Sequence, residues 1–310
     1  MKAAFVTGYA YTVESYWRVM LPARALRVPA LGAEQALADP PELVWIHQPL
    51  TLAALSLAQK VKERGGRVVA DFSEDVWTRD ALGEGLSVYT STQLRAAEDT
   101  VALADLVVVA SEGLAQYFEG LPLKVIPPAL DALPSPIETV PGLVAWWSDG
   151  RQKAGMTEAG PCVRRLVEDI AGRLVHVQFA HMAAVAGLGA EKQAVVVGGA
   201  FSPDTLVRHF MAHAGKAEIG LECWPDVPYR ESVSDLSLLR YAACGVPALT
   251  NREKAPPGMV SAPYEDWPRL ARELHEEPGR RRALSIEARA WAESRATFHA
   301  YEAVIEEVAP

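Results

Sequence analysis

Leu238-Leu239-Arg240-Tyr241-Ala242-Ala243-Cys244-Gly245-Val246-Pro247-Ala248-Leu249-Thr250 holds a helix end, a turn and a buried strand in one short run. Gly245 can take a positive φ and Pro247 cannot continue a helix, so the chain must turn between Cys244 and Ala248. The segment before it, Tyr229-Arg230-Glu231-Ser232-Val233-Ser234-Asp235, supplies Ser232, Ser234 and Asp235, all favoured helix N-cap types. A helix start of this kind offers free N–H groups and a positive dipole end to an anion. It also reads as an ordinary capped helix.

Outward from this run the chain alternates short β-branched segments with helical patterns. In the first half the strands are predicted at 2–7, 43–47, 67–72, 106–110 and 123–126, with helices over Glu14–Leu26, Thr51–Glu63 and Gln93–Leu103. A proline-rich stretch follows, with Pro127, Pro128, Pro134, Pro136 and Pro141, and the pattern restarts at 143–147, 174–178, 194–198, 217–221 and 246–250. Alternation of this kind implies parallel strands with right-handed crossovers. Two such halves joined by a linker near 130–142 should turn the loops after their strands into a shared cleft.

Composition narrows the function classes. Half of the 310 residues are hydrophobic and 22% are charged, which suits folded domains rather than a disordered chain. The formal net charge of −9 argues against a broad nucleic-acid-binding face. Cys162, Cys223 and Cys244 show no disulfide or metal spacing, and no apolar run reaches membrane-spanning length. A cytoplasmic setting is the expectation.

Four further blocks, in order, join the first. They are Ser15-Tyr16-Trp17-Arg18-Val19-Met20-Leu21-Pro22-Ala23, Val44-Trp45-Ile46-His47-Gln48-Pro49, Ala104-Asp105-Leu106-Val107-Val108-Val109-Ala110-Ser111-Glu112 and Lys124-Val125-Ile126-Pro127-Pro128-Ala129-Leu130-Asp131. With the A-C-G-V-P helix end they resemble the retaining family-4 glycosyltransferases, and the opening block resembles their short, phage-like members. The resemblance spans most of the chain. It implies an α/β protein of the GT-B type, with two Rossmann-like domains facing a cleft. The expected division is 1–135 for an acceptor-side domain, 142–290 for a nucleotide-sugar-binding domain, and 291–310 for a C-terminal helix returning to the first domain. Phe298, Tyr301, Val304 and Ile305 give that helix an apolar face.

The resemblance implies donor contacts from Gly8, from Ser148, Gly150, Arg151 and Lys153 in the turn after the first strand of the second half, and from Ser232, Ser234 and Asp235. Arg151 and Lys153 would neutralise the departing diphosphate. It implies no cofactor and no required divalent metal. On the acceptor side stand Tyr9, Tyr11, Arg18, Asp71 and Glu74, with His47 and Asp75 as candidate catalytic groups. Tyr9 and Tyr11 could stack on a sugar or pack against Tyr16 and Trp17. Asp71, Glu74 and Asp75 could orient a hydroxyl, act as a base, hold a divalent ion or form a solvated turn. His47 is equally readable as a buried structural histidine.

Two departures from the family pattern stand out. The paired Glu positions of many relatives read Ser232 and Arg240, and a familiar His reads Ser73. Three functions therefore compete. The first is sugar transfer from a nucleoside diphosphate sugar to a hydroxyl. The second is a phage-type DNA glycosyltransferase acting on hydroxymethylated bases. The third is a non-catalytic GT-B protein that binds nucleotide sugar.

Overall fold

The computed structural model describes residues 2–9, 13–77, 89–130, 133–135, 138–148, 153–178, 188–197, 211–226 and 229–309. Two six-stranded parallel sheets dominate it. The first contains β1 (Ala3–Thr7), β2 (Ala30–Gly32), β3 (Leu43–His47), β4 (Arg67–Phe72), β5 (Leu106–Val109) and β6 (Leu123–Val125), in the order β2-β1-β3-β4-β5-β6. The second contains β7 (Leu143–Ser148), β8 (Arg173–Gln178), β9 (Gln193–Val197), β10 (Ile219–Glu222), β11 (Ala248–Thr250) and β12 (Val260–Ser261), in the order β12-β11-β10-β7-β8-β9. This is the expected α/β architecture of the GT-B type, with two Rossmann-like domains facing a cleft.

Every residue of β3 is buried, as expected for a parallel strand covered on both faces. Strands β2 and β12, with three and two residues, lie at sheet edges and are too short for periodicity to show them. The Leu52–Glu63 helix starts where the Thr51 hydroxyl accepts from the Ala54 N–H at 3.2 Å. The Leu236–Ala243 helix ends at Gly245, whose φ of 71° lets the Val246 N–H reach back to the Tyr241 carbonyl at 2.9 Å.

The helix after β1 is irregular. A turn at Val13–Ser15 leads into a π-helical segment, Tyr16–Met20, and then into the Leu21–Leu26 helix. The wide turns bury three consecutive residues, Trp17, Arg18 and Val19. Val19 joins the core under the first sheet, whereas Trp17 and Leu21 pack among Ala145, Trp147, Leu238 and Leu239 of the second half. The His299–Val308 helix places Tyr301, Val304 and Val308 in the core with Phe5, Trp45 and Val69. Tyr301 stacks on Trp45 with ring centroids 5.2 Å apart.

Candidate functional site

Each sheet has one place where the strand order reverses direction. In the first it lies between β1 and β3, which are neighbours although β2 separates them in sequence; in the second it lies between β7 and β10. Loops leaving such a pair diverge and open a crevice beyond the strand C-termini. The two halves meet where the Ser111 hydroxyl, just after β5, donates to the Ser232 carbonyl at 2.9 Å.

At the first crevice the chain is tightly packed. Gly8 follows β1, and its N–H donates to the His47 carbonyl at 2.7 Å. A Cβ on Gly8 would stand 2.7 Å from the Gln48 carbonyl oxygen and 2.8 Å from the Pro49 Cα. Gly8 is thus required by its protein neighbours, whatever it does for a ligand. Gln48 turns the chain out of β3 with a φ of 51°, an uncommon conformation for a side chain of this size.

His47 ends β3 opposite Asp71 on β4, and both side chains are buried. Nδ1 of His47 lies 3.0 Å from Asp71 Oδ2. Arg18 grips the same carboxylate with two nitrogens, Nε lying 3.1 Å from Oδ2, and its third nitrogen donates to the Ile126 carbonyl. Burial pushes the Asp71 carboxyl up. The Arg18 charge and the hydrogen bonds from His47 and Arg18 outweigh it and hold the group below the usual carboxylate range. His47 Nε2 is buried and has no hydrogen-bond partner.

Arg18 and Asp71 were both expected on the acceptor side. They are 1% and 0% exposed and hold one another. The rest of the acidic turn is also engaged. Glu74 accepts from the Tyr89 hydroxyl at 2.7 Å, and Asp75 accepts from the Trp77 N–H at 2.8 Å in a local turn. The turn is therefore not solvated, since Ser73, Glu74 and Asp75 are all buried. Among the described residues no group of three or more His, Cys, Asp and Glu is placed to hold a metal ion. Tyr9 is 46% exposed and meets Tyr89 edge-on, with centroids 5.8 Å apart; Tyr16 packs on Trp17 instead. Tyr11 lies outside the described residues.

At the second crevice Ser148 ends β7 and Glu222 ends β10. Gly150 and Arg151 lie outside the described residues, and Lys153 opens the Lys153–Asp169 helix. Tyr241 holds the two strands in place. Its hydroxyl accepts from the Trp147 N–H at 2.9 Å and is 3.0 Å from the carbonyls of Ala145 and Leu221.

The helix start at Ser232–Asp235 differs from the simple capped end expected from sequence. Asp235 precedes the helix but makes no capping bond. Arg252 reaches under the segment instead, its guanidinium donating to the Val233 carbonyl at 3.2 Å, the Ser234 carbonyl at 3.1 Å and Asp235 Oδ1 at 3.2 Å. The same guanidinium takes Glu222 bidentately, at 2.7 and 2.9 Å, and Glu222 also accepts from Ser237 and Thr250. Two carboxylates thus surround one cation. Burial raises the Asp235 carboxyl above its usual range, although the Arg252 charge opposes this. Glu222 and Arg252 were missed from sequence; the available signal was a charged residue closing an apolar strand, a costly place without a partner.

Arg240, at a position where the resembled pattern has a Glu, is buried with its guanidinium 4.5 Å from the Trp147 ring centroid and 5.8 Å from that of Trp17. It therefore occupies an aromatic sandwich between the halves. Ser73, in place of the familiar His, lies 3.3 Å from Gln48 Nε2 and accepts its hydrogen bond.

No family model matches the chain. No curated protein matches it in sequence either. Solved structures do match in fold. An α-glucosyltransferase in complex with UDP superposes with a TM-score of 0.68 at 10% identity over 99% of both chains. An α-glucosyltransferase in complex with UDP-glucose and DNA containing an abasic site gives 0.63 at 10% identity over 99% of both chains. HepE from Anabaena, in complex with UDP and glucose, gives 0.66 at 13% identity over 99% of this chain and 98% of the other. Likeness at such identities establishes the fold.

Proposed function

We propose that this chain transfers a sugar from a nucleoside diphosphate sugar to a hydroxyl acceptor, with retention at the anomeric carbon. The observation that carries the reading is the pair of opposed crevices, the first of which holds a buried imidazole nitrogen without a partner at a strand end. In this reading residues 1–135 present the acceptor, 142–290 hold the donor, and 291–310 close back on the first domain. The UDP and UDP-glucose bound to the structural neighbours support this donor class.

The donor diphosphate would lie between the Ser148–Lys153 turn and the Ser232–Asp235 segment. Arg252 is committed to Glu222 and Asp235, so the charge that offsets the leaving group falls to Arg151 and Lys153. Gly8 would let the β1 turn approach the donor closely. His47 Nε2 would accept a hydrogen bond from the acceptor hydroxyl. Tyr9 and Tyr11 would border the acceptor, with Glu74 and Asp75 shaping the turn beneath it. The scheme invokes neither a cofactor nor a divalent metal, and the Asp71 charge is met by Arg18.

The test is release of nucleoside diphosphate from UDP-sugars with and without simple sugar acceptors, with proton NMR of the product for anomeric configuration. Turnover with retained configuration is expected. Binding of UDP without turnover of any donor, even by hydrolysis, would leave the non-catalytic binding protein. A duplex carrying hydroxymethylated bases belongs in the acceptor panel because of the DNA-bound neighbour. The net charge of −9 leads us to expect no transfer to it.

A further inference from the structure

Arg18 is buried and joins four parts of the first domain. It pairs with Asp71 at the end of β4, donates to the Ile126 carbonyl where the chain leaves β6, and lies 5.5 Å from the Tyr301 ring centroid on the last helix. Through Asp71 it meets His47. The charged and titratable groups in this cluster are Arg18, Asp71, His47 and Tyr301, and the Tyr301 hydroxyl is buried without a partner.

We propose that Arg18 is a positioning residue: by taking the Asp71 charge it holds the His47 proton on Nδ1 and leaves Nε2 free to accept a hydrogen bond. Charge counting gives the reason. With Arg18 present, a neutral imidazole makes the buried group neutral overall, because guanidinium and carboxylate cancel. The carboxylate can only accept, so the imidazole must donate through Nδ1 and Nε2 keeps its lone pair. Without the guanidinium, the His47 contact is what remains to oppose burial at Asp71, and the carboxyl is driven toward acquiring a proton. In the proposal that proton goes to Oδ2, the oxygen that faces Nδ1. Oδ2 then donates to Nδ1 and sends the ring hydrogen to Nε2, or passes the proton to the ring and makes both nitrogens donors. A proton held on Oδ1 would leave Nδ1 the donor, and the uncharged variant tests against it. With the proton at either of the two proposed places, Nε2 becomes an N–H and no longer accepts from a hydroxyl.

This inference rests on the proposed acceptor role of His47, but its test does not depend on activity. Histidine is labelled with 15N, and long-range proton–nitrogen spectra are recorded at a pH where the rings are neutral. His47 is assigned among the seven histidines by comparison with His47→Gln. Wild-type protein should show hydrogen on Nδ1 and none on Nε2, and Arg18→Lys, which keeps the charge, should do the same. Arg18→Met should show hydrogen on Nε2. If that variant does not fold, Arg18→Gln takes its place with the same expectation. A wild-type ring protonated on Nε2, or an uncharged variant with the wild-type pattern, overturns the proposal. The expected spectra with no transfer to any acceptor would instead sink the transferase reading and leave this device standing.

Discussion

At the scale of single residues, the Asp71 cluster makes two separable predictions. Asp71 is held below the usual carboxylate range, so the unfolded chain binds its proton more readily than the folded one. Its contribution is therefore complete above the unfolded carboxyl value, about 4, and is lost as pH falls through the lower folded value. Asp71→Asn leaves Arg18 buried without its anion, and it should cost about 3–5 kcal/mol in urea unfolding at pH 7. The difference from wild type should shrink as the pH is lowered below about 4. His47→Ala removes the unpartnered nitrogen. It should lower kcat about 10²-fold while UDP affinity by calorimetry stays unchanged. Equal kcat in a folded His47→Ala protein would take the acceptor role away from this residue.

At the scale of elements, the last helix decides whether the first sheet has a complete core. On the Leu43–His47 strand the Trp45 indole stacks on Phe5, at 5.1 Å, and on Tyr301, at 5.2 Å, and those two rings are 6.2 Å from each other. Removing the Tyr301 ring opens a cavity that the flat sheet face cannot close by small shifts. Tyr301→Ala should therefore destabilise the protein by about 3–5 kcal/mol in urea unfolding. Because the same ring faces Arg18, the variant should also lower transfer more than UDP binding. A loss of stability under 1 kcal/mol would show that the helix merely rests on the sheet. The apolar face of this helix was legible at Phe298, Tyr301, Val304 and Ile305. Its contact with the guanidinium of Arg18 was not, because nothing in the local pattern links positions so far apart.

At the scale of the whole molecule, the two halves are tied by aromatic and cationic packing as well as by the linker. Trp17 from the first half and Trp147 from the second flank Arg240. A desolvated cation between rings is worth about 2 kcal/mol or more. Arg240→Glu places a carboxylate against two ring faces. We expect lower stability and no gain in UDP affinity, read by thermal shift with and without UDP. Tighter UDP binding in this variant would show that position 240 still faces the nucleotide and that the aromatic sandwich is incidental.

The sequence by itself determined the alternation of strands and helices, the two halves, and the strand ends where a site can form. These depend on local periodicity and on turns such as Gly245-Val246-Pro247, which any short window contains. His47 and the 71–75 acids were legible for the same reason, since they close apolar strands. Only the tertiary structure decided what these groups do. It turned Arg18 inward through a π-helical segment, spent Asp71 on it, and left His47 Nε2 buried without a hydrogen-bond partner. It also paired Glu222 with Arg252 and buried Arg240 between Trp17 and Trp147. A lone charge in a sequence reads as solvent-facing because burying it without a partner is costly. Here the partners lie 53 positions apart for Arg18 and Asp71 and 30 for Glu222 and Arg252, so only the folded chain could supply them.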